Sequence, residues 1–146
     1  QLLGWDLDAD GSAEDYLYCE IGGTLNMAGK EVFRRAVRIM VDSAEKTMKH
    51  AGLSADDIAL IVPHQANVRI ISAACDRIGI PMERAAVVLD RTGNTSSASI
   101  PLALAEALDQ GRVSPGDKIL LVGFGAGMTA ASAIIDYPIG LMHPNQ

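Results

Sequence analysis

Two segments of this chain combine groups able to polarise a carbonyl with bends able to present them. Val62-Pro63-His64-Gln65-Ala66-Asn67 is followed about thirty residues later by Thr92-Gly93-Asn94-Thr95-Ser96-Ser97-Ala98-Ser99. In each, an apolar strand-like run gives way to a helix-like run at a histidine or an asparagine. Open α/β sheets bind their ligands at such strand ends. A neutral imidazole N–H and a carboxamide N–H that converge can hold a carbonyl oxygen as it becomes an oxyanion. Each residue also has a plain structural reading. His64 can be a hydrogen-bonded strand-end histidine, and Asn94 an ordinary turn residue. Asn67 suits the N-cap of the following helix, and Arg69 a solvated charge one turn into it. His50 ends an amphipathic run, where a cation complements the helix dipole, and His143 lies in the tail.

A third segment, Gly125-Ala126-Gly127, joins two apolar runs. Small residues there permit a tight hairpin, and they also let a ligand approach bare backbone N–H groups. Neither a Lys-Ser/Thr pair nor a helix follows, which argues against a phosphate loop. A nucleophile is the missing piece. Cys19 lies in a strand-like stretch and Cys75 inside a helical one, so both read as buried small apolar residues. Their spacing suits neither a metal site nor a redox pair.

The elements that must position these groups follow from hydrophobic periodicity. Leu2 to Asp8 reads as a strand entering the loop Asp8-Ala9-Asp10-Gly11-Ser12. That loop loosely resembles a calcium loop but lacks its ligand spacing and closing Glu, so a surface turn is expected. Tyr16 to Ile21 reads as a second extended piece. From Lys30 to Ala51 apolar residues recur at three-to-four spacing, the mark of a long amphipathic helix stopped by Gly52. Ile58 to Val62 is a buried strand ended by Pro63, and Ala66 to Ile78 a second helix. Ala85 to Leu89 is a short strand, and Ser97 to Gln110 a third helix with Pro101 near its start. Lys118 to Phe124 and Thr129 to Tyr137 are the last two strands, and residues 138–146 form a loosely ordered tail. Strands alternating with helices imply a mostly parallel sheet covered by helices. The link between the last two strands is too short for a parallel crossover, so they pair antiparallel.

Composition bounds the rest. The 146 residues are 49% hydrophobic and 21% charged, enough apolar material for one sizeable core. A net charge of −6 argues against nucleic-acid binding, although Arg34, Arg35 and Arg38 crowd one segment. No apolar run reaches the roughly 18 residues that span a membrane. Reduced thiols in a cytoplasmic protein are expected. The start at Gln1, without an initiator Met or signal pattern, is expected of a fragment.

Four segments carry a resemblance. Met27-Ala28-Gly29-Lys30-Glu31-Val32-Phe33, Val62 to Ile71, Asp90 to Pro101 and Gly123-Phe124-Gly125-Ala126-Gly127-Met128-Thr129 resemble, in order and spacing, the C-terminal half of β-ketoacyl-acyl carrier protein synthase III. The resemblance implies half of a thiolase fold, βαβαβαββ, with a mixed five-stranded sheet and helices on its faces, spanning residues 1–137. It implies a decarboxylative condensation of an acyl-CoA starter with malonyl-acyl carrier protein, both as substrates, with no cofactor or metal. His64 and Asn94 match the family's catalytic His and Asn. The family's nucleophilic Cys belongs to the N-terminal half, which this chain would need as its partner. Gly125 and Ala126 match the backbone oxyanion segment, where many members carry Gly in place of Ala126. Ala66, Asn67, Arg69 and Phe124 match positions near the pantetheine channel and the carrier-protein docking face. The partners so implied are acyl carrier protein, acyl-CoA and a second copy in a homodimer.

Two other readings remain at this point. One is a related enzyme that loads unusual starters in secondary metabolism. The other is a non-catalytic module that binds acyl chains or carrier protein. Hydroxymethylglutaryl-CoA synthase-like enzymes normally lack this pairing of His-Gln-Ala-Asn with Gly-Asn-Thr.

Overall fold

A computed structural model describes residues 1–138. The loose order expected of the tail, and His143 with it, falls outside the described residues except for Pro138. Six strands and four α-helices follow in chain order: β1 (Leu2–Ala9), β2 (Leu17–Cys19), β3 (Leu25–Met27), α1 (Gly29–Ala51), β4 (Ile58–Pro63), α2 (Val68–Ile78), α3 (Leu89–Thr92), α4 (Ser99–Asp109), β5 (Lys118–Gly125) and β6 (Thr129–Asp136). The main sheet has the order β1-β6-β5-β4. β4 runs parallel to β5, while β5–β6 and β1–β6 are antiparallel. The expected antiparallel pairing of the last two strands is therefore present.

Helices cover both faces of this sheet because β4 is apolar on both sides. Ile58 and Ile61 join the core formed with α1 and α2, and Leu60 and Val62 join the core formed with α4. Along α1 the buried residues Val32, Ala36, Val37, Met40, Val41, Ala44 and Met48 recur at three-to-four spacing, as an amphipathic helix requires. A buried hydroxyl cluster locks α1 to β6. Ser132 Oγ donates to the Ser43 carbonyl at 2.9 Å, which leaves it to accept from Ser43 Oγ at 2.8 Å and Thr47 Oγ1 at 2.6 Å. The contact of α1 with β1 is closer still. A Cβ on Gly4 would lie 2.9 Å from the Thr47 carbonyl oxygen.

Several expected elements differ. Ala85 to Leu89 does not form a strand. It makes a single parallel bridge, Ile61 to Ala85, with the Ala86 N–H donating to Ile61 O at 2.8 Å. Residues from Leu89 then coil into α3, so the main sheet has four strands rather than five. The reason is a side chain. Gln65, fully buried, donates from Nε2 to Ala86 O at 3.0 Å and to Pro63 O at 2.8 Å, and accepts at Oε1 from Val88 N at 2.9 Å. A carboxamide carries the same donor and acceptor as a peptide group, so it completes the pairing where β4 has already ended.

The extended piece at Tyr16 to Ile21 is real but shorter, and it pairs with β3, which periodicity did not reveal. β2 and β3 form a separate two-stranded ribbon with little packed beneath it. Cys19, expected to be buried, is therefore exposed, whereas Cys75 is buried as expected. Burial pushes the Cys75 thiol up to about 11, so it holds its proton near neutrality. α2 begins at Val68 rather than Ala66, because Asn67 caps it through Oδ1 to the Arg69 N–H at 2.8 Å. α4 begins at Ser99, after a 3-10 turn over Ser96–Ala98. Asp10 caps a turn by accepting from the Ser12 N–H at 3.0 Å, the expected surface turn. Among the described residues no three His, Cys, Asp or Glu side chains gather as a metal site.

Gly4→Ala should destabilise the fold by roughly 1–3 kcal/mol, because the new methyl meets backbone rather than a side chain that can rotate away. The midpoint of urea unfolding reads this directly, and an unchanged midpoint would show that α1 and β1 can separate freely.

Candidate active site

His64 leaves the end of β4 with its backbone still held by the sheet. Its N–H donates to Val122 O at 2.8 Å, which continues the parallel pairing one residue beyond the strand. Its ring meets Phe124 edge-on, with centroids 5.5 Å apart and planes at 73°. Nδ1 lies 2.7 Å from Ser99 Oγ. Nε2 has no protein partner among the described residues. Burial lowers the pKa of this imidazole from its ordinary 6.5, so the ring is neutral at pH 7.

Asn94 reaches the site through an unusual backbone. Gly93 has φ 66° and ψ −165°, a region essentially closed to residues with a Cβ. Ser96 has φ 52°, a left-handed conformation that costs a non-glycine residue about 1–2 kcal/mol. Between them the Asn94 carboxamide accepts from the Ser96 N–H through Oδ1 at 3.0 Å. That bond orients the carboxamide, and its NH₂ remains as a donor without a partner among the described residues.

The turn between β5 and β6 forms the third side. Thr129 Oγ1 donates to Ala126 O at 3.2 Å. None of the turn hydrogen bonds among the described residues uses the Ala126 N–H.

These groups face one open cleft of about 1500 Å³. His64, Ala66, Asn67, Arg69, Asn94, Phe124, Gly125 and Ala126 all line it. Leu17, Leu25 and Met27 of the β2–β3 ribbon form an apolar wall, and Lys30 and Phe33 add the start of α1. The Arg69 guanidinium lies 5.5 Å from the Phe33 ring centroid and has no acidic partner within 4 Å among the described residues. Neither cysteine lines the cleft. Sequence reasoning gave no role to Gln65 or Ser99, although both stand inside the segments it singled out. It also gave none to Lys30 and Phe33, which reach the cleft only because α1 packs beside α2. The arrangement can place two side-chain N–H groups, and a backbone N–H nearby, against one carbonyl-bearing ligand in an apolar trough.

A sheet of this order, covered by helices on both faces and carrying its polar groups at the carboxyl ends of β4 and β5, defines the half-domain of a thiolase-type fold. Residues 48–137 match the family described as 3-Oxoacyl-[acyl-carrier-protein (ACP)] synthase III C terminal, and the chain belongs to that family. A Deinococcus radiodurans protein named β-ketoacyl-[acyl-carrier-protein] synthase III 2 is 56% identical over 118 residues, covering 81% of this chain and 35% of its own length. A Roseiflexus sp. protein named β-ketoacyl-[acyl-carrier-protein] synthase III is 48% identical over 149 residues, covering 92% of this chain and 45% of its own length. The crystal structure of 3-oxoacyl-[acyl-carrier-protein] synthase III from Aquifex aeolicus superposes with a TM-score of 0.91 at 40% identity, covering 93% of this chain and 44% of that one. The chain thus spans less than half the length of these relatives.

The depressed pKa of His64 has a stability consequence. Between the folded-state value and the ordinary 6.5 the unfolded chain binds more protons, so stability is full above about 6.5 and falls as the pH drops through that window. His64→Asn should flatten this part of the stability–pH profile. An NMR titration of the ring should give a midpoint below 6.5, and a midpoint above that value would exclude the buried neutral imidazole.

Proposed function

We propose that residues 1–137 are the C-terminal half-domain of a β-ketoacyl-acyl carrier protein synthase III. In this reading it supplies the donors for decarboxylative condensation, and an N-terminal half supplies the nucleophilic cysteine. The observation that carries this reading is the pairing of His64 and Asn94 on one cleft. Each has one polar atom engaged by a neighbouring serine and the other without a partner among the described residues.

The chemistry then runs as follows. The cysteine thiolate attacks an acyl-CoA thioester and releases the coenzyme A thiolate. A malonyl thioester on acyl carrier protein enters the cleft. Its carbon–carbon bond to the carboxylate breaks, carbon dioxide leaves, and the electron pair becomes an enolate with charge on the thioester oxygen. Hydrogen bonds from His64 Nε2 and the Asn94 carboxamide to that oxygen strengthen as the charge develops, which is the condition for catalysis rather than mere binding. The enolate carbon attacks the acyl-cysteine thioester. A new carbon–carbon bond forms, the carbon–sulfur bond breaks, and the cysteine thiolate is regenerated. The Ala126 N–H, beside Gly125, is the backbone donor for the tetrahedral oxyanion of that attack. Both reactants are substrates, and the scheme uses no cofactor. Asn67, Ala66 and Phe124 line the path of the pantetheine arm, and Arg69 stands at its mouth for an acidic carrier protein. A cytoplasmic homodimer is part of the same reading. Among the described residues no helix is long and apolar enough to cross a membrane.

Two measurements test the roles, both on the full-length protein. His64→Ala should leave acyl transfer to cysteine largely intact and slow malonyl decarboxylation roughly 10²–10³-fold, the usual effect of losing one oxyanion donor. Asn94→Ala should behave alike, and the double variant should lose less than the product of the two, since both serve one oxygen. Undiminished decarboxylation in His64→Ala would sink the assignment.

Arg69→Glu should raise KM for malonyl-acyl carrier protein more than it lowers kcat, and should spare small thioester substrates. Added salt should narrow the difference from wild type, because the contact is electrostatic and exposed. Equal kinetics at low salt would return Arg69 to a solvated helix charge.

A further inference from the structure

We propose that Ser99 is a positioning residue. Its buried hydroxyl donates to His64 Nδ1 and thereby holds the imidazole as the Nε2–H tautomer, the form that can donate to an oxygen in the cleft. The catalytic consequence rests on the function proposed above, but the tautomer does not.

The argument is an account of hydrogens. Ser99 is fully buried at the first turn of α4. Its Oγ has two protein partners among the described residues: His64 Nδ1 at 2.7 Å and the Gln65 backbone N–H at 3.2 Å. A peptide N–H can only donate, so it occupies an Oγ lone pair. The single hydroxyl hydrogen must then find an acceptor. The Ser99–His64 contact provides one only if Nδ1 carries no proton. If Nδ1 carried the proton, Oγ would accept twice and its own hydrogen would be buried without a partner, at a cost of about 1–3 kcal/mol. The neutral ring then has its one proton on Nε2. An Nε2 lone pair would accept a hydrogen bond and would repel an enolate oxygen, whereas Nε2–H stabilises it. A serine here thus decides the sign of the His64 contribution without touching the ligand itself. The neighbouring N–H of Gln65 points the hydroxyl by filling its lone pair.

The same accounting separates Ser99 from the other hydroxyls of its segment. Ser96 contributes its backbone N–H to Asn94, Thr92 Oγ1 donates to the Val88 carbonyl, and Thr95 Oγ1 is buried without a partner among the described residues. Only Ser99 reaches the ring of His64.

The experiment uses the full-length protein with ¹⁵N-labelled histidine, in four forms: wild type, Ser99→Ala, Ser99→Val and Ser99→Thr. Imidazole ¹⁵N shifts identify the protonated nitrogen of His64, and malonyl decarboxylation is measured in parallel. Wild type should show Nε2–H. Ser99→Ala and Ser99→Val should lose the single tautomer and decarboxylate more slowly, by between roughly tenfold and the 10²–10³-fold of losing the donor outright. Ser99→Thr, which has the shape of valine but keeps the hydroxyl, should retain both properties, a rescue that a purely packing role would not give. Nδ1–H in the wild type overturns the proposal even if every variant of position 99 folds poorly, and so does an unchanged Nε2–H in a folded Ser99→Ala. The expected tautomers in a wild-type protein with no decarboxylase activity would uphold the role of Ser99 and sink the proposed function instead.

Discussion

The carboxamide of Gln65 carries the sheet across a gap that backbone cannot fill. β4 ends at Pro63, which has no N–H to continue the ladder toward Ala86, although the His64 N–H still pairs with Val122 O on the other side. Gln65 turns back inward and binds Pro63 O, Ala86 O and Val88 N from a fully buried position. Leaving any of those backbone groups unpaired in the interior would cost about 1–3 kcal/mol. The three bonds therefore hold two stretches of chain to each other. One carries His64, the adjacent residue. The other runs from Ala86 through α3 to Asn94. The relative position of the two donors is set by this side chain together with the Ile61–Ala85 bridge and the Ser99–His64 contact, rather than by a continuous strand.

Rigidity at one end of the sheet contrasts with the apolar surface elsewhere. Leu7, Ile21, Leu25 and Met27 are all more than half exposed, with Ile21 uncovered at 108%. Leu7, Leu25 and Met27 line the cleft, so its wall is itself uncovered. The half-buried His64 is kept neutral by desolvation, and the Arg69 guanidinium stays in water above the Phe33 ring. A charge that appears during reaction at the floor would meet fixed N–H dipoles in a low dielectric. A charge already present on an incoming carrier would meet the cation at the mouth. That separation agrees with the proposed order of events, and the uncovered wall is the kind of face the proposed second half would complete.

Much of this was legible in the sequence, because the period of burial is written in residue type. The stripe from Val32 to Met48 has the period of an amphipathic helix, and the run Ile58 to Val62 the length and branching of a buried strand. The resemblance placed the candidate residues, and all eight line the same cleft. What escaped was of two kinds. Ala85 to Leu89 has the composition of a strand, but its partner there is a side chain, and no local pattern reports a glutamine acting as backbone. Cys19 sits in an apolar-looking stretch, yet β2 pairs only with β3 and nothing buries it. Both misreadings arise where tertiary contacts override local preference. Ser99 was hidden for a different reason. It is one of several hydroxyls in Thr95-Ser96-Ser97-Ala98-Ser99, and only the turn of α4 against the end of β4 selects it.

Polar groups inside an interior are costly unless each is satisfied, and this site turns that requirement to use. Ser96 N–H engages the Asn94 oxygen and so orients the carboxamide, leaving its NH₂ as the end without a partner among the described residues. Gln65 N–H consumes a lone pair of Ser99, and so the hydroxyl donates to Nδ1. In both cases a backbone N–H, whose polarity cannot reverse, fixes the direction of a group that could otherwise act either way. Backbone donors of this kind are placed by the ends of β4, the turn after α3 and the first turn of α4, which are set in turn by the core. The polarity of the cleft is thus a consequence of the fold's own hydrogen-bond balance. A substitution that left every contact with a ligand intact could still invert it.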